Sequence, residues 1–448
     1  MALIAPPPNI EEIIPKDPTG FSDLMEKSRT PDFQKILQLA NYHYMHWHKL
    51  RYYRPMPEGV SPEKVWLFLK LGRESNKKNV PYLDKNNNPF SYWVPDSLLK
   101  ILHEIDLDVG GTIITDRPGS PPPKEEYIVS SLMEEAIASS QLEGATTTRQ
   151  AAKEMLRSGR KPKDRSEQMI LNNWESMKYI RTNRNQKFTP ERLLQLHSIL
   201  TIDTLTNPEE AGRYRTSDDI IVEYNDQTVH KPPLASELKE RVESLCNFAN
   251  HDDEKNWIHP VLKAAIIHFR LAYDHPFTDG NGRTARQLMY WYLLSRKYFL
   301  FEYLAISKYF IQSPGRYVRS YLETETDGND LTYFLLFNLR AIRRAILELR
   351  KYIIRKQKEV ASANESLKSL KGLNARQKIL LHYAIGHPTN MYTFETHKSR
   401  HAIVYQTARN DLLSLVKKGF LEKERQGKEF VFFPTRKIMN KLGAGKKV

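Results

Sequence analysis

A single cysteine in 448 residues, Cys246, leaves no partner for an intramolecular disulfide, and no Cys/His spacing of the zinc-site kind occurs along the chain. No window approaches eighteen uninterrupted apolar residues, and the opening MALIAPPPNIEE has neither a basic start nor a long apolar run. A membrane-spanning helix and a secretory leader are therefore not expected. Internal repeats and low-complexity tracts are missing too. These absences predict a globular protein of a reducing, cytoplasmic compartment with no membrane partner. What is in excess is positive charge, formally +15, almost all of it after residue 350. A basic end of that kind suits a polyanion partner or a soluble basic surface, depending on the fold that carries it.

Composition divides the chain into four segments and predicts a mainly α protein. Residues 1–124 open Pro-rich and contain the aromatic run FQKILQLANYHYMHWHKLRYY, which reads as one helix. They close in DRPGSPPPKEE, a proline and glycine break that reads as a linker. Residues 125–345 carry helical periodicity with one exception, RYRTSDDIIVEYNDQTVHKPP. Its β-branched run, polar Asn225 and Asp226 turn and Pro-Pro stop predict a hairpin. Residues 346–372 read as a charged connecting helix. Residues 373–448 read as three helices followed by two short strands around RQGKE.

The stretch DHPFTDGNGRTAR, Asp274 to Arg286, lies between two apolar helical patterns, HPVLKAAIIHFRLAY and TARQLMYWYLLSRKYF. It is therefore expected to be a loop that ends at a helix N-terminus. Gly280, Asn281 and Gly282 let backbone N–H groups turn inward beside the positive end of that helix, which makes an anion site. Arg283 and Arg286 share one face of its first turn, where both forks can reach phosphate oxygens. Asp279 offers the hard oxygen that a magnesium ion bridging phosphates takes, and His275 can accept a proton from an attacking hydroxyl. The plain alternative is a tight interhelical turn with a capping Asp279 and surface arginines.

HPFTDGNGRTAR resembles the Fic motif, His-x-Phe-x-Asp/Glu-Gly-Asn-Gly-Arg-x-x-Arg, at each fixed position. The resemblance, which covers about residues 125–345, implies a helical Fic fold and transfer of AMP from ATP to a hydroxyl side chain (Ser, Thr or Tyr) of a target protein. On this chain it implies His275 as general base, Phe277 as apolar anchor and Asp279 as magnesium ligand. Gly280, Asn281 and Gly282 would form the anion hole, and Arg283 and Arg286 would hold phosphates, Arg286 nearest the γ-phosphate.

Upstream, SSQLEGA places Ser139 and Glu143 four apart on one helical face, with Gly144 as a stop. A glutamate there opposes the helix dipole, so it is a poor choice for stability alone. The stretch, near 131–144, resembles the Fic inhibitory motif, Ser/Thr-x-x-x-Glu-Gly/Asn, which implies a salt bridge from Glu143 to Arg286 and a resting, autoinhibited enzyme. The hairpin falls where the family carries its flap, and AGRYR before it resembles the usual lead-in. Residues 373–448 resemble a winged helix-turn-helix. Gln406, Thr407, Arg409 and Asn410 would sit on the exposed early turns of its third helix, with Leu412, Leu413 and Val416 inward, so DNA is a candidate partner and protein contact the alternative. A homodimer is a further candidate assembly.

Three weaker signals read as packing. His43, His46 and His48 of HYMHWH cannot converge on a metal without a break in the helix. Tyr317 and Tyr321, four apart, suit either adenine stacking or core packing, and His268 reads as a core histidine. Rival functions are a Fic-fold enzyme that uses another phosphate-containing donor or removes AMP, a nucleotide-sensing DNA-binding regulator, and a toxin component.

Overall fold

The computed structural model describes residues 4–108, 125–369, 372–386, 391–401, 403–426 and 429–435. The fold is mainly helical, and the strands among the described residues form three separate two-stranded antiparallel sheets. Two compact units divide the chain, Met1–Leu349 and Arg350–Val448. The first unit joins the two segments that composition separated at residue 124. The linker expected at 116–126 lies outside the described residues apart from its last two. The helix expected over 346–372 starts earlier, as part of a single helix Thr332–Ser369.

The first unit opens with helices Ile10–Ile13, Pro18–Ser28, Pro31–His43, Trp47–Leu50 and Pro62–Glu74, then strands β1 (Lys78–Leu83) and β2 (Pro89–Tyr92). The aromatic run is not one helix. It stops at Tyr44, which takes a left-handed φ of 50°, and restarts at Trp47. That break brings His46 and His48 together, Nδ1 to Nδ1 2.9 Å, and burial holds His46 at about 2 and His48 at about 4. Among the described residues no group of three His, Cys, Asp or Glu side chains is arranged to hold a metal.

The loop 275–280 sits in a helical core built from α1 (Glu125–Leu142), α2 (Arg165–Asn183), α3 (Pro190–Thr201), the hairpin β3 (Val222–Tyr224) and β4 (Gln227–His230), α4 (Leu238–Asn250), α5 (Pro260–Asp274), α6 (Asn281–Ser295) and α7 (Pro314–Thr326). Pro260 starts α5 at a position where its missing N–H costs nothing, and the His259 ring accepts from Val261 N. From Val261 to Leu271 every side chain of α5 is buried, and so is nearly all of α6. Helices buried on every side belong at the centre of a fold, and here the two central helices are joined directly by the loop 275–280. The Asn225 and Asp226 turn takes φ of 51° and 59°, as a tight two-residue hairpin requires.

Buried polar contacts seat α1 on this core. Asn173 Nδ2 donates to Ser140 Oγ (3.1 Å) and accepts at Oδ1 from Gln287 Nε2 of α6 (2.8 Å). The fully buried Glu135 takes the backbone N–H of Ser307 at 2.9 Å, and burial pushes its carboxyl above the usual carboxylate range. No described helix is long and apolar enough to cross a membrane.

The second unit contains α8 (Ala375–Gly386), α9 (Phe394–His401), α10 (Tyr405–Lys417) and the antiparallel pair β5 (Leu421–Gln426) and β6 (Glu429–Pro434). Its core packs Leu381, Leu412, Leu415 and Phe432 together, with Leu413 and Val416 half-buried against it. Gln406, Arg409 and Asn410 are exposed on the first turns of α10, while Thr407 is half-buried. The tip of the hairpin, residues 427–428, lies outside the described residues.

Candidate active site

Helix α5 ends by handing the chain to His275, whose φ of 47° and ψ of 57° turn the backbone away from the helix. Its N–H still bonds Leu271 O at 3.0 Å, and Arg215, buried, donates from Nε to His275 O (2.9 Å) and from its backbone N to Pro276 O (2.9 Å). The imidazole is half-buried, and burial lowers it to about 4, so at neutral pH it is an uncharged ring able to accept a proton. Phe277 is fully buried and stacks on His197, ring centroids 3.7 Å apart and 7° from parallel.

The next residues make the turn into α6. Asn281 grips the loop from within, accepting from Phe277 N (3.0 Å) and donating to Phe277 O (2.7 Å). Gly280 sits at φ +84°, and a Cβ there would come within 3.0 Å of Thr201 Cγ2, so the turn admits only glycine. His197 Nδ1 accepts from Gly212 N at 3.0 Å, which leaves its Nε2–H to donate to Asp279 O at 2.9 Å. The Asp279 carboxylate is partly exposed, bonded to Gly280 N and paired with Arg165 at 3.0 Å and, more loosely, Arg283 at 3.5 Å.

Neither arginine is a surface residue, contrary to the plain reading of the turn. Arg283 is fully buried; its NH1 donates to Leu200 O at 2.8 Å, while Nε and NH2 have no hydrogen-bond partner. Buried guanidinium donors without hydrogen bonds are costly, and here Nε has none and NH2 only the loose ion pair to Asp279, in the first turn of α6 beside the Gly-Asn-Gly N–H groups. Arg286, also buried, is engaged at all three nitrogens. Its Nε donates to Ser139 Oγ and its NH2 to Ser139 O, each at 2.9 Å, and its NH1 lies 2.9 Å from Glu143 Oε1. That last contact is an ion pair whose angle departs from a good hydrogen bond. Glu143 follows the last residue of α1, ahead of Gly144 at φ +91°, and a Cβ at Gly282 would run into its carboxylate. The structure thus gathers His275, Asp279, Gly280, Asn281, Gly282, Arg283, Arg286, Ser139 and Glu143 around one helix N-terminus.

Residues 187–293 match the family model of the Fic/DOC family. Over those residues the chain is similar to a Fic domain. Over 118 residues it is 34% identical to "Protein adenylyltransferase Fic" of Nematostella vectensis, a match that covers 26% of each chain. Over 84 residues it is 38% identical to "Protein adenylyltransferase fic-1" of Caenorhabditis elegans, covering 18% of this chain and 15% of that one. The chain therefore spans about a quarter or less of the length of these relatives. A solved Fic family protein from Desulfovibrio desulfuricans G20 superposes with a TM-score of 0.53 at 19% identity, covering 78% of this chain and 97% of that one, which shows the helical Fic fold.

Several residues of the site were not singled out by sequence. His197 lies inside LLQLHSIL, where its single polar ring on an apolar face was the available signal. Arg215 belongs to the AGRYR lead-in, and Arg165 carries no local mark. His230, at the end of β4, bonds Tyr273 O (2.8 Å) and Glu325 (2.9 Å), tying the hairpin to the end of α5. Tyr317 and Tyr321 join hydroxyls at 3.0 Å; Tyr317 is buried against Phe310 and meets His268 at 2.8 Å. Burial lowers His268 to about 3.

Proposed function

We propose that this chain is a protein adenylyltransferase that moves AMP from ATP to a hydroxyl side chain of another protein, held at rest by Glu143. The observation that carries the reading is the loop 275–286, with an uncharged imidazole at one end and two buried arginines at the other, Arg283 only loosely held by Asp279 and Arg286 occupied by Glu143. The target hydroxyl attacks the α-phosphorus and gives its proton to His275; the bond to pyrophosphate breaks and pyrophosphate leaves. Backbone N–H groups of the Gly-Asn-Gly turn and the loosely held Arg283 guanidinium stabilise the charge that builds on the phosphate oxygens. Arg286 takes the γ-phosphate when Glu143 lets go. The unpaired edge of the β3–β4 hairpin, close to His275 through His230, suits alignment of a target segment by strand addition.

Asp279 fits magnesium as a single carboxylate ligand: it is partly exposed beside the phosphate-facing donors, and a magnesium ion commonly takes one protein carboxylate with phosphate oxygens and waters. When bound, the ion would neutralise charge on the bridging phosphates. Arg165 must then yield its hold on Asp279.

The test incubates the wild type, Glu143→Gly and the double variant Glu143→Gly, His275→Ala with magnesium, a soluble protein extract and ATP labelled first at the α and then at the γ position. Covalent α-label in the single variant, lost in the double one, is the expected result. Label from the γ position means phosphoryl transfer, and no label from either position rejects nucleotide transfer from ATP.

A further inference from the structure

Resting on the activity proposed above, we infer that Tyr82 of the N-terminal hairpin acts through Asp274 as a positioning residue for His275. Asp274 is the last residue of α5 and almost fully buried. A carboxylate there meets both the negative end of the helix dipole and the cost of leaving water, so its presence needs partners. They come from distant parts of the chain. Tyr82 of β1 donates its hydroxyl to Asp274 Oδ1 at 3.0 Å, and Arg241 of α4 reaches the same oxygen at 3.2 Å. Tyr82 is itself fixed, stacked on Phe90 with centroids 4.7 Å apart and covered by the Arg270 guanidinium at 4.3 Å.

The clamp lies one residue from the proposed base. His275 holds a left-handed backbone that non-glycine residues adopt at a cost and keep only where the surroundings over-determine it. Arg215 fixes the far side of that residue, and the Tyr82–Asp274–Arg241 cluster fixes the near side. The same corner of the N-terminal hairpin also holds the neighbours. Lys85 N donates to Tyr273 OH (3.2 Å), Lys85 Nζ donates to the carbonyl of Lys231, the residue after β4 (2.9 Å), and Arg241 binds Leu83 O and Asp84 O (3.1 Å each). A segment whose task is opaque in sequence thus braces both the proposed base and the exit of the hairpin.

Tyr82→Phe and Asp274→Asn, each made in the full chain carrying Glu143→Gly, test this. Phenylalanine keeps the ring stack, so Tyr82→Phe decides the matter if Asp274→Asn does not fold. Two readouts are taken: the nitrogen signals of the His275 ring, identified by their loss in His275→Ala, and the rate of α-label transfer to a soluble protein extract as a function of ATP. The expected result is that the His275 signals move and the maximal rate falls about tenfold, while the ATP concentration for half-maximal rate stays within about twofold. Unmoved ring signals overturn the inference, and so do moved signals with an unchanged maximal rate. If the Glu143→Gly parent transfers no label at all, the proposed activity fails and the ring signals alone decide the clamp.

Discussion

The two ends of the loop between α5 and α6 are held in opposite ways. At the His275 end the contacts are internal to the protein: Tyr82, Arg241 and Arg215 hold the residues around the imidazole. At the Arg286 end the contacts are substitutes. Ser139 and Glu143 take the donors that would otherwise meet an anion, and Glu143 lies over Gly282, where close approach to the backbone is possible only because no Cβ is there. Arg283, three residues earlier on the same helix, is buried too but more loosely held, by Leu200 O and a long ion pair to Asp279, with Nε left without a hydrogen bond. In the proposed reaction one end acts as a brace that persists and the other as a latch that has to open.

Breaking the brace at its centre has the largest effect. His275→Ala in the Glu143→Gly background should lower α-label transfer by about 10²- to 10⁴-fold, because the proton acceptor is gone. ATP binding, followed calorimetrically, should persist; lost binding would mean that the ring serves the nucleotide site instead.

A partial opening of the latch comes next. Ser139→Ala removes the acceptor of Arg286 Nε but leaves the Ser139 carbonyl and Glu143 in place. Hydrogen bonds to charged groups contribute about 1.5–3 kcal/mol, and a third of that, for one of three contacts, is about 0.5–1 kcal/mol, so transfer should rise about twofold to fivefold above wild type and remain below Glu143→Gly. Label incorporation by the two variants measured side by side checks this, and equal rates in Ser139→Ala and wild type would assign the latch to the ion pair alone.

The smallest effect, acid, acts on the brace side. His275 and His197 are lowered by burial to about 4, against an ordinary value of 6.5 in the unfolded chain. Between those values the unfolded chain binds protons that the folded chain does not, so stability is fully present above about 6.5 and is lost as pH falls toward about 4. Thermal unfolding followed by circular dichroism should show a midpoint several degrees lower at pH 5 than at pH 7. Replacing His197 with glutamine should weaken that dependence, and an undiminished one would remove His197 from its causes.

Much of this site was legible in sequence because its parts lie close together in the chain. A proline-started apolar helix, a Gly-Asn-Gly turn and two arginines three apart give a loop at a helix N-terminus without any knowledge of long-range packing. The Glu143 to Arg286 approach was legible only through the resemblance of SSQLEGA to a known motif, since no local pattern reports a contact across 143 residues. What sequence does not carry is the brace. Tyr82 and Asp274 are 192 residues apart, and neither has an unusual neighbourhood apart from the acid at the end of α5. The break at Tyr44 was missed for the converse reason: aromatic periodicity continues through it, and the left-handed residue is a tyrosine where a glycine would have announced the stop.

The central claim, that the loop is complete and only latched, is tested most directly by the ratio of α-label transfer in Glu143→Gly to that in wild type at saturating ATP and magnesium. The account predicts a ratio of at least about ten, since the latch it removes includes a charge pair on a buried guanidinium. Equal rates in the two proteins, with label on protein in both, would contradict it and leave Glu143 as a partner of Arg286 with no part in restraint.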